Sequence, residues 1–305
     1  MSVSADVERG ALPDGHLRRS IAGAAGATLT CFHTVLDPCL PTVMIALPFG
    51  VPADVARAAF ATFGGAFNVV TWESRYILDL DQAFSGTERM GPAEHVEDIT
   101  RVLGGLQIDR CHLVGYCSGA GISLLAAERH PEAFTTLILV NGEYQLFRKG
   151  HTATNYQRSI DAFLPEVAKG REQAGFIFSK MSDIAEASES GARSELDRRI
   201  NLPFSKEEYL YRYAKNYMAY RDFDALDLTA RIGQDAFVLT GRRDAHSSME
   251  NSEAVHAGLP RATKFVDDRG DHYEFCREGS PTLKEIGAFL GARTGTDAIG
   301  AAHHG

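Results

Sequence analysis

Apolar positions along this chain follow two alternating patterns. Short runs of consecutive apolar and β-branched residues, TVMIAL (42–47), FNVVTW (67–72), CHLVG (111–115), TLILVNG (136–142), AFVLTG (236–241) and TKFVD (263–267), have the length of buried strands. ATLTCFHTV (27–35) is a further β-rich run. Between them lie stretches of helical period, over 53–63, from Pro92, over 118–130 before Pro131, and over 281–290. In the Pro92 stretch, Val96, Ile99, Val102, Leu103 and Leu106 share one face. Strands alternating with helices predict an α/β fold, a mostly parallel sheet covered by helices on both faces.

The alternation stops between Glu143 and about Asp224, where roughly 80 residues read as helices alone. An insertion of that size between two strands predicts a helical lid over one end of the sheet. Residues 1–143 and 225–305 are then two parts of one core, and 144–224 is the lid. YLYRYAKNYMAYRDF carries Tyr209, Tyr211, Tyr213, Tyr217 and Tyr220, read as lid packing before substrate contact. The first residues, to about Gly26, have no firm period, and GTDAIGAAHHG reads as a loose tail.

Composition narrows the classes. A net charge of −9 argues against nucleic acid or an anionic membrane surface as partner, and no apolar run reaches the length of a membrane span. Arg18 and Arg19 before small apolar residues faintly resemble a twin-arginine export signal. The stretch after them is rich in Gly and Ala, and TLTCF reads as a strand, so a cytoplasmic location is expected. Five Cys without C-x-x-C spacing make a zinc cluster or disulfide framework a poor expectation. Four of them read as small buried hydrophobes.

The fifth, Cys117, lies in Gly115-Tyr116-Cys117-Ser118-Gly119, after a predicted strand and at the start of a predicted helix. That is the setting of a nucleophile elbow, where a sharp turn lifts the central side chain off the sheet. Centring the motif on Ser118 would require Gly at 116 and 120, where Tyr116 and Ala120 stand. A helix N-terminus and an imidazole partner both favour the thiolate form of a cysteine. The alternative is a buried Cys before an ordinary glycine-rich turn.

Two downstream residues complete a relay. Asp244 follows the strand of AFVLTGRRDAHSS, and His272 lies in the loop of TKFVDDRGDHYEF after the next strand. The 28 residues between them suffice for one helix and one strand to bring the chain back to the same sheet edge. His272 would deprotonate Cys117 and Asp244 would fix its tautomer. His246 competes as base; Asp267 and Asp268 read as strand-end residues, and Asp271 as solvated. An oxyanion hole needs backbone N–H groups, one from Ser118 and one from Leu47-Pro48-Phe49-Gly50-Val51. Gly50 is the first expectation, with Phe49 and Val51 open, and a plain turn competes with all three. Tyr116, beside the nucleophile, is expected to touch substrate.

Elbow, acid, His and their order resemble the α/β-hydrolase superfamily over residues 27–292. Dienelactone hydrolases share a Cys-Asp-His triad but look smaller and lack such a lid. Polyhydroxyalkanoate synthases share a Gly-x-Cys-x-Gly-Gly box, whose last Gly is Ala120 here. In nucleophile type and size the chain looks more like the acyl- and aminoacyl-transferases that shuttle thioesters between carrier proteins, as in syringomycin and coronamic acid assembly. That resemblance implies an acyltransferase working through a Cys117 thioester. The alternatives are a thioesterase or lactone/ester hydrolase, and a non-catalytic binder. It implies no metal and no resident cofactor, since phosphopantetheine or CoA would arrive with the substrate. An acyl or peptidyl carrier protein is the possible protein partner. Arg148, Lys149, Arg242 and Arg243 would serve as its basic rim only if they are not scattered, solvated charges.

Overall fold

A computed structural model describes Leu12 and residues 16–187 and 194–294; the predicted tail at 295–305 lies outside them. Eight strands form one sheet in the order β1-β2-β4-β3-β5-β6-β7-β8. They are β1 (Leu17–Ala22), β2 (Thr28–His33), β3 (Thr42–Ala46), β4 (Asn68–Trp72), β5 (Cys111–Tyr116), β6 (Phe134–Val140), β7 (Asp235–Gly241) and β8 (Ala262–Asp267). The pairs β1–β2 and β2–β4 are antiparallel, and every other pair is parallel.

Alternate side chains of the central strands enter two separate cores. Met44, Val70, Leu113, Leu137 and Leu139 pack with α2 (Pro92–Leu106) and α3 (Ser118–Arg129). Val43, Ile45, Val69, Val114, Ile138 and Val140 pack with α1 (Arg57–Phe63) and the last helix. Burial on both faces is why these runs lack polar alternation. All five residues predicted for the apolar face of α2 are buried.

β1 was not foreseen. Leu17, Arg18, Arg19 and Ser20 are exposed because β1 is an edge strand that needs only backbone pairing with β2, so its sequence carries no burial signal. Arg18 and Arg19 lie in this strand, paired with Phe32 and Cys31. The predicted helix over 53–63 begins as one turn of 3-10 helix, Ala53–Ala56, ahead of α1.

Between β6 and β7 the described residues form helices only: α4 (Asn155–Val167), α5 (Arg171–Ala187), α6 (Glu195–Ile200), α7 (Glu207–Tyr220) and α8 (Leu226–Thr229), with short 3-10 turns. After β7 come α9 (Met249–Gly258) and α10 (Pro281–Thr294), the latter packing beside α1. Strands β3, β5, β6, β7 and β8 run parallel, so their last residues share one edge of the sheet. The chain leaves β3 toward β4 on one side and β5 toward β6 on the other, and the crevice at such a reversal is where open α/β sheets bind ligands.

Candidate active site

Cys117 stands between β5 and α3 with φ 53° and ψ −121°, a backbone conformation that a residue with a side chain adopts only when its surroundings enforce it. Here the enforcement is a pair of glycines. A Cβ on Gly119 would meet the Ala46 carbonyl oxygen at 2.1 Å, and one on Gly115 would meet the Ala120 Cα at 2.6 Å. The Cys117 N–H donates to the Val140 carbonyl and its own carbonyl accepts from Ala120 and Glu143. The thiol sits on a turn fixed from three directions.

His272 lies in the loop after β8, with its ring almost wholly buried and its Nδ1 2.8 Å from Asp244 Oδ2. Asp244, beyond β7, also accepts on Oδ1 from the N–H groups of His246 (2.7 Å) and Ser247 (2.9 Å). Burial works to lower the basicity of His272, but the charges of Asp244 and Cys117 outweigh it and hold the imidazole well above its ordinary value. Cys117 and His272 line one cavity of about 70 Å³.

Of the competing residues, His246 lines the same cavity and the acids lie outside it. His246 stacks on His272 with ring centroids 4.7 Å apart, and burial followed by the His272 charge pushes it down to about 4. Asp244, His246 and His272 bring ligand-type atoms within 4.8 Å of one another, but the His272 Nδ1–Asp244 bond already uses two of them. Asp267 ends β8, Asp268 pairs with Arg242, and Asp271 pairs with Arg277.

The donor loop differs from the first expectation. The Gly50 N–H donates to Ser74 Oγ (3.3 Å), and the Val51 N–H turns back to the Pro48 carbonyl (3.3 Å). The Phe49 N–H faces the elbow and donates to Ser118 Oγ at 3.1 Å. Gly50 is there for its φ of +69° and for close packing: a Cβ would come within 2.8 Å of Pro203 of the insert. Ser118 heads α3, so its N–H has no carbonyl one turn behind it.

Tyr116 reaches the cavity wall but is 1 % exposed, and its hydroxyl donates to the His272 carbonyl at 2.8 Å. It braces the loop that carries the imidazole rather than presenting a surface to substrate. Asn141 does the same and was missed in the sequence, where it reads as the end of a strand. It has φ 45°, a conformation Asn tolerates. Its Nδ2 donates to the Asp271 and His272 carbonyls (3.0 and 3.1 Å), and its Oδ1 accepts from Gly241 N–H (3.0 Å). One side chain thus ties the ends of β6 and β7 to the His272 loop.

The insert closes the cavity. Tyr156 and Ile160 come from α4, and Tyr213, Tyr217 and Tyr220 from α7. Tyr209 and Tyr211 pack away from it, Tyr211 against Phe84. A wider cleft of about 410 Å³, lined by Asp54, Arg199 and Cys276 among others, touches none of Cys117, Asp244 or His272. Of the four basic residues considered as a rim, Arg148 pairs with Asp161 and Asp222, Lys149 with Asp224, and Arg242 with Asp268.

The chain is similar to an L-allo-isoleucyltransferase of Pseudomonas savastanoi pv. glycinea, 23 % identical over 257 residues, covering 82 % of this chain and 87 % of that one. Among solved structures it resembles a hydrolase from Pseudomonas aeruginosa, with TM-score 0.68 and 19 % identity over 90 % of this chain and 98 % of the other. A thermophilic esterase from Thermogutta terrifontis gives TM-score 0.67 and 18 % identity with the same coverage. At that identity the structures speak for the fold alone. Residues 78–276 match the alpha/beta hydrolase fold, and with more than half of the sequence matched, this chain is an enzyme belonging to that family.

Proposed function

We propose that this enzyme is a cysteine-dependent acyltransferase that moves an acyl or aminoacyl group between thiols through a thioester on Cys117. The observation that carries the reading is the thiol at the elbow, beside an imidazole tied to a buried carboxylate. The Cys117 thiolate attacks the carbonyl carbon of a donor thioester. The C–S bond to the donor breaks, and the departing thiolate takes a proton from the His272 imidazolium. In the second half an acceptor thiol gives its proton to His272, its sulfur attacks the same carbon, and Cys117 leaves as thiolate. Asp244 keeps the imidazole in one tautomer. The Ser118 N–H is one oxyanion donor in this scheme, and the Phe49 N–H is the second once the oxyanion takes the place of Ser118 Oγ as its acceptor.

A thiol suits transfer for an energetic reason. Thioester-to-thioester exchange is close to isoenergetic, whereas a Ser nucleophile would give an oxygen ester less willing to pass its acyl group on. The helical insert acts as a lid that limits water at the thioester. The small cavity suits a short acyl group. Phosphopantetheine or CoA would come with the donor, and a carrier protein is the proposed partner. Its docking does not rest on Arg148, Lys149 and Arg242, whose charges are already paired.

The second reading, hydrolysis, is favoured by the fold shared with the esterase and the hydrolase. Partitioning separates the two. The enzyme is loaded from an aminoacyl- or acyl-pantetheine thioester, and free acid and acylated acceptor are followed with time. Fast loading of an acceptor thiol with little free acid is expected. Free acid released at a rate indifferent to added thiol would replace the transferase with a thioesterase.

A further inference from the structure

One carboxylate in the cavity has no part in the relay. Glu143 follows β6 by three residues, and its N–H donates to the Cys117 carbonyl at 3.0 Å, so it is anchored to the nucleophile's own residue. Its Oε1 accepts from the Gln145 N–H at 2.9 Å, and its Oε2 accepts from Gln157 Nε2. Gln157 is itself held by the first turn of α4, where its Oε1 accepts from the Thr154 N–H at 2.8 Å. The Tyr220 hydroxyl donates to the Glu143 carbonyl at 2.7 Å. The carboxylate is therefore positioned by the Gln145 N–H and by α4, and the main chain of the residue by Cys117 and α7.

What Glu143 lacks is a cation bonded to its carboxylate, since the His272 imidazolium is tied to Asp244 instead. Among the described residues lining the cavity it is the one carboxylate, and none is Lys or Arg. The bases in the wall are His246, held neutral by burial, and His272, already bonded to Asp244. A carboxylate oxygen can accept more than one hydrogen bond, so two acceptor positions are left after Gln145 and Gln157. Burial pushes the Glu143 carboxyl up to about 7, against the pull of those two donors and the His272 charge. Such a group is costly to ionise in an empty site and cheap to ionise beside an incoming positive charge. Tyr213, Tyr217 and Tyr220, in the same wall, add aromatic rings of the kind that attract an ammonium.

We propose that Glu143 is the specificity residue of this cavity, binding the α-ammonium of an aminoacyl thioester and selecting it over the acyl thioester that lacks nitrogen. The inference rests on the acyl-transfer reading above. In a thioester held at Cys117, the α-nitrogen is two bonds from the carbonyl carbon, within the cavity that Cys117 and Glu143 both line.

The test uses matched donors that differ only in that ammonium: L-valyl- and L-allo-isoleucyl-pantetheine against 3-methylbutanoyl- and 3-methylpentanoyl-pantetheine. Loading of Cys117 is read by intact mass, and kcat/KM by donor release. The wild-type enzyme is expected to favour the aminoacyl donors by about 100-fold or more. Glu143→Gln should lose about 100-fold on aminoacyl donors while its loading by the acyl donors holds within a few-fold. Glu143→Asp should recover part of the preference. Equal loading of the wild type by both kinds of donor overturns the inference and leaves acyl transfer standing. An equal fall on both kinds in Glu143→Gln, with the fold intact, makes Glu143 a structural residue and also overturns it. If no thioester loads Cys117 in the wild type, the acyl-transfer reading falls first and takes this one with it.

Discussion

At the carboxyl edge of the sheet, the turn of Cys117 and the Asp244 carboxylate are located largely by main-chain N–H groups, whereas the insert facing them is attached through side chains. The elbow's N–H and carbonyl are bonded to Val140, Ala120 and Glu143, and Asp244 accepts two backbone N–H groups before it meets His272. The insert instead reaches the core through Arg212, which donates to the Tyr76, Asp79 and Gln82 carbonyls, and through Thr154 Oγ1 to the His246 carbonyl. The Tyr220 hydroxyl on the Glu143 carbonyl adds to these. Main-chain bonds depend little on side-chain identity, so the turn of Cys117 should keep its geometry through substitutions in the insert. In the proposed scheme, chemistry belongs to the sheet edge, and selection is shared between Glu143, at the end of the core, and the insert.

The sharpest break of that division is at the thiol. Cys117→Ala should remove acyl-enzyme formation altogether in an intact-mass assay with any thioester donor, which no substitution in the insert should do. Cys117→Ser should retain at most a slow release of free acid.

Next in size are the relay residues. His272→Ala should slow loading by about 10³-fold, within the range that a positioned acid–base contributes. Asp244→Asn should cost less, since the ring stays in place while its tautomer and charge support are lost. His246→Ala should cost under about 10-fold, being a stacking partner and not a proton acceptor in this scheme. The same series has a titration signature. Asp244 raises His272, so in Asp244→Asn the imidazolium should lose its proton at lower pH, read from the His272 ring signals by NMR. If His246→Ala were as damaging as His272→Ala in a folded protein, the base would have to be reassigned.

The sheet edge was also the more legible region. Gly115 and Gly119 could be read because a sharp strand-to-helix turn leaves no room for a Cβ, and a Cβ added at either would lie 2.1–2.6 Å from its neighbours. Asp244 and His272 could be read because parallel strands return the chain to one edge at a predictable interval. The donor loop could not, because Phe49, Gly50 and Val51 differ only in where their N–H groups point, and that depends on a turn closed by Ser74 and Pro48. Asn141 looked like the end of a strand because nothing local reveals a side chain that bonds two distant loops. Edge strand β1 buries too little to leave a pattern. The tyrosines of α7 were legible as packing, but which of them face the cavity depends on how the helix is seated on the core.

A smaller effect should come from the insert itself. Tyr217 lines the cavity and donates to Asp161 Oδ1 at 2.8 Å. Tyr217→Phe removes a hydrogen bond within the insert worth about 1 kcal/mol to stability, so loosening of this wall should raise KM for the donor by at most about 5-fold. The kcat for transfer should be little changed, because the relay does not depend on that helix. A kcat loss as large as the KM change would erase the division between the two regions.

The smallest effect concerns stability, and it lies where the two regions meet. Glu143 ionises at about 7 in the folded protein against 4.5 for an ordinary glutamate, burial being the main cause. Between those values the folded chain holds a proton that the unfolded chain has released, so this residue's contribution falls as pH rises from about 4.5 to about 7 and is constant above. An amide does not titrate in this range, which makes Glu143→Gln a clean comparison. Without ligand, the variant should melt a few degrees above the wild type near pH 8. The gap should shrink as pH falls and close by about pH 5, where the wild-type carboxyl is protonated in the fold. Calorimetric melting of both proteins across that range checks it. A gap independent of pH would mean that the Gln145 and Gln157 hydrogen bonds, not the cost of ionising a carboxylate without a cation, decide what Glu143 does to the fold.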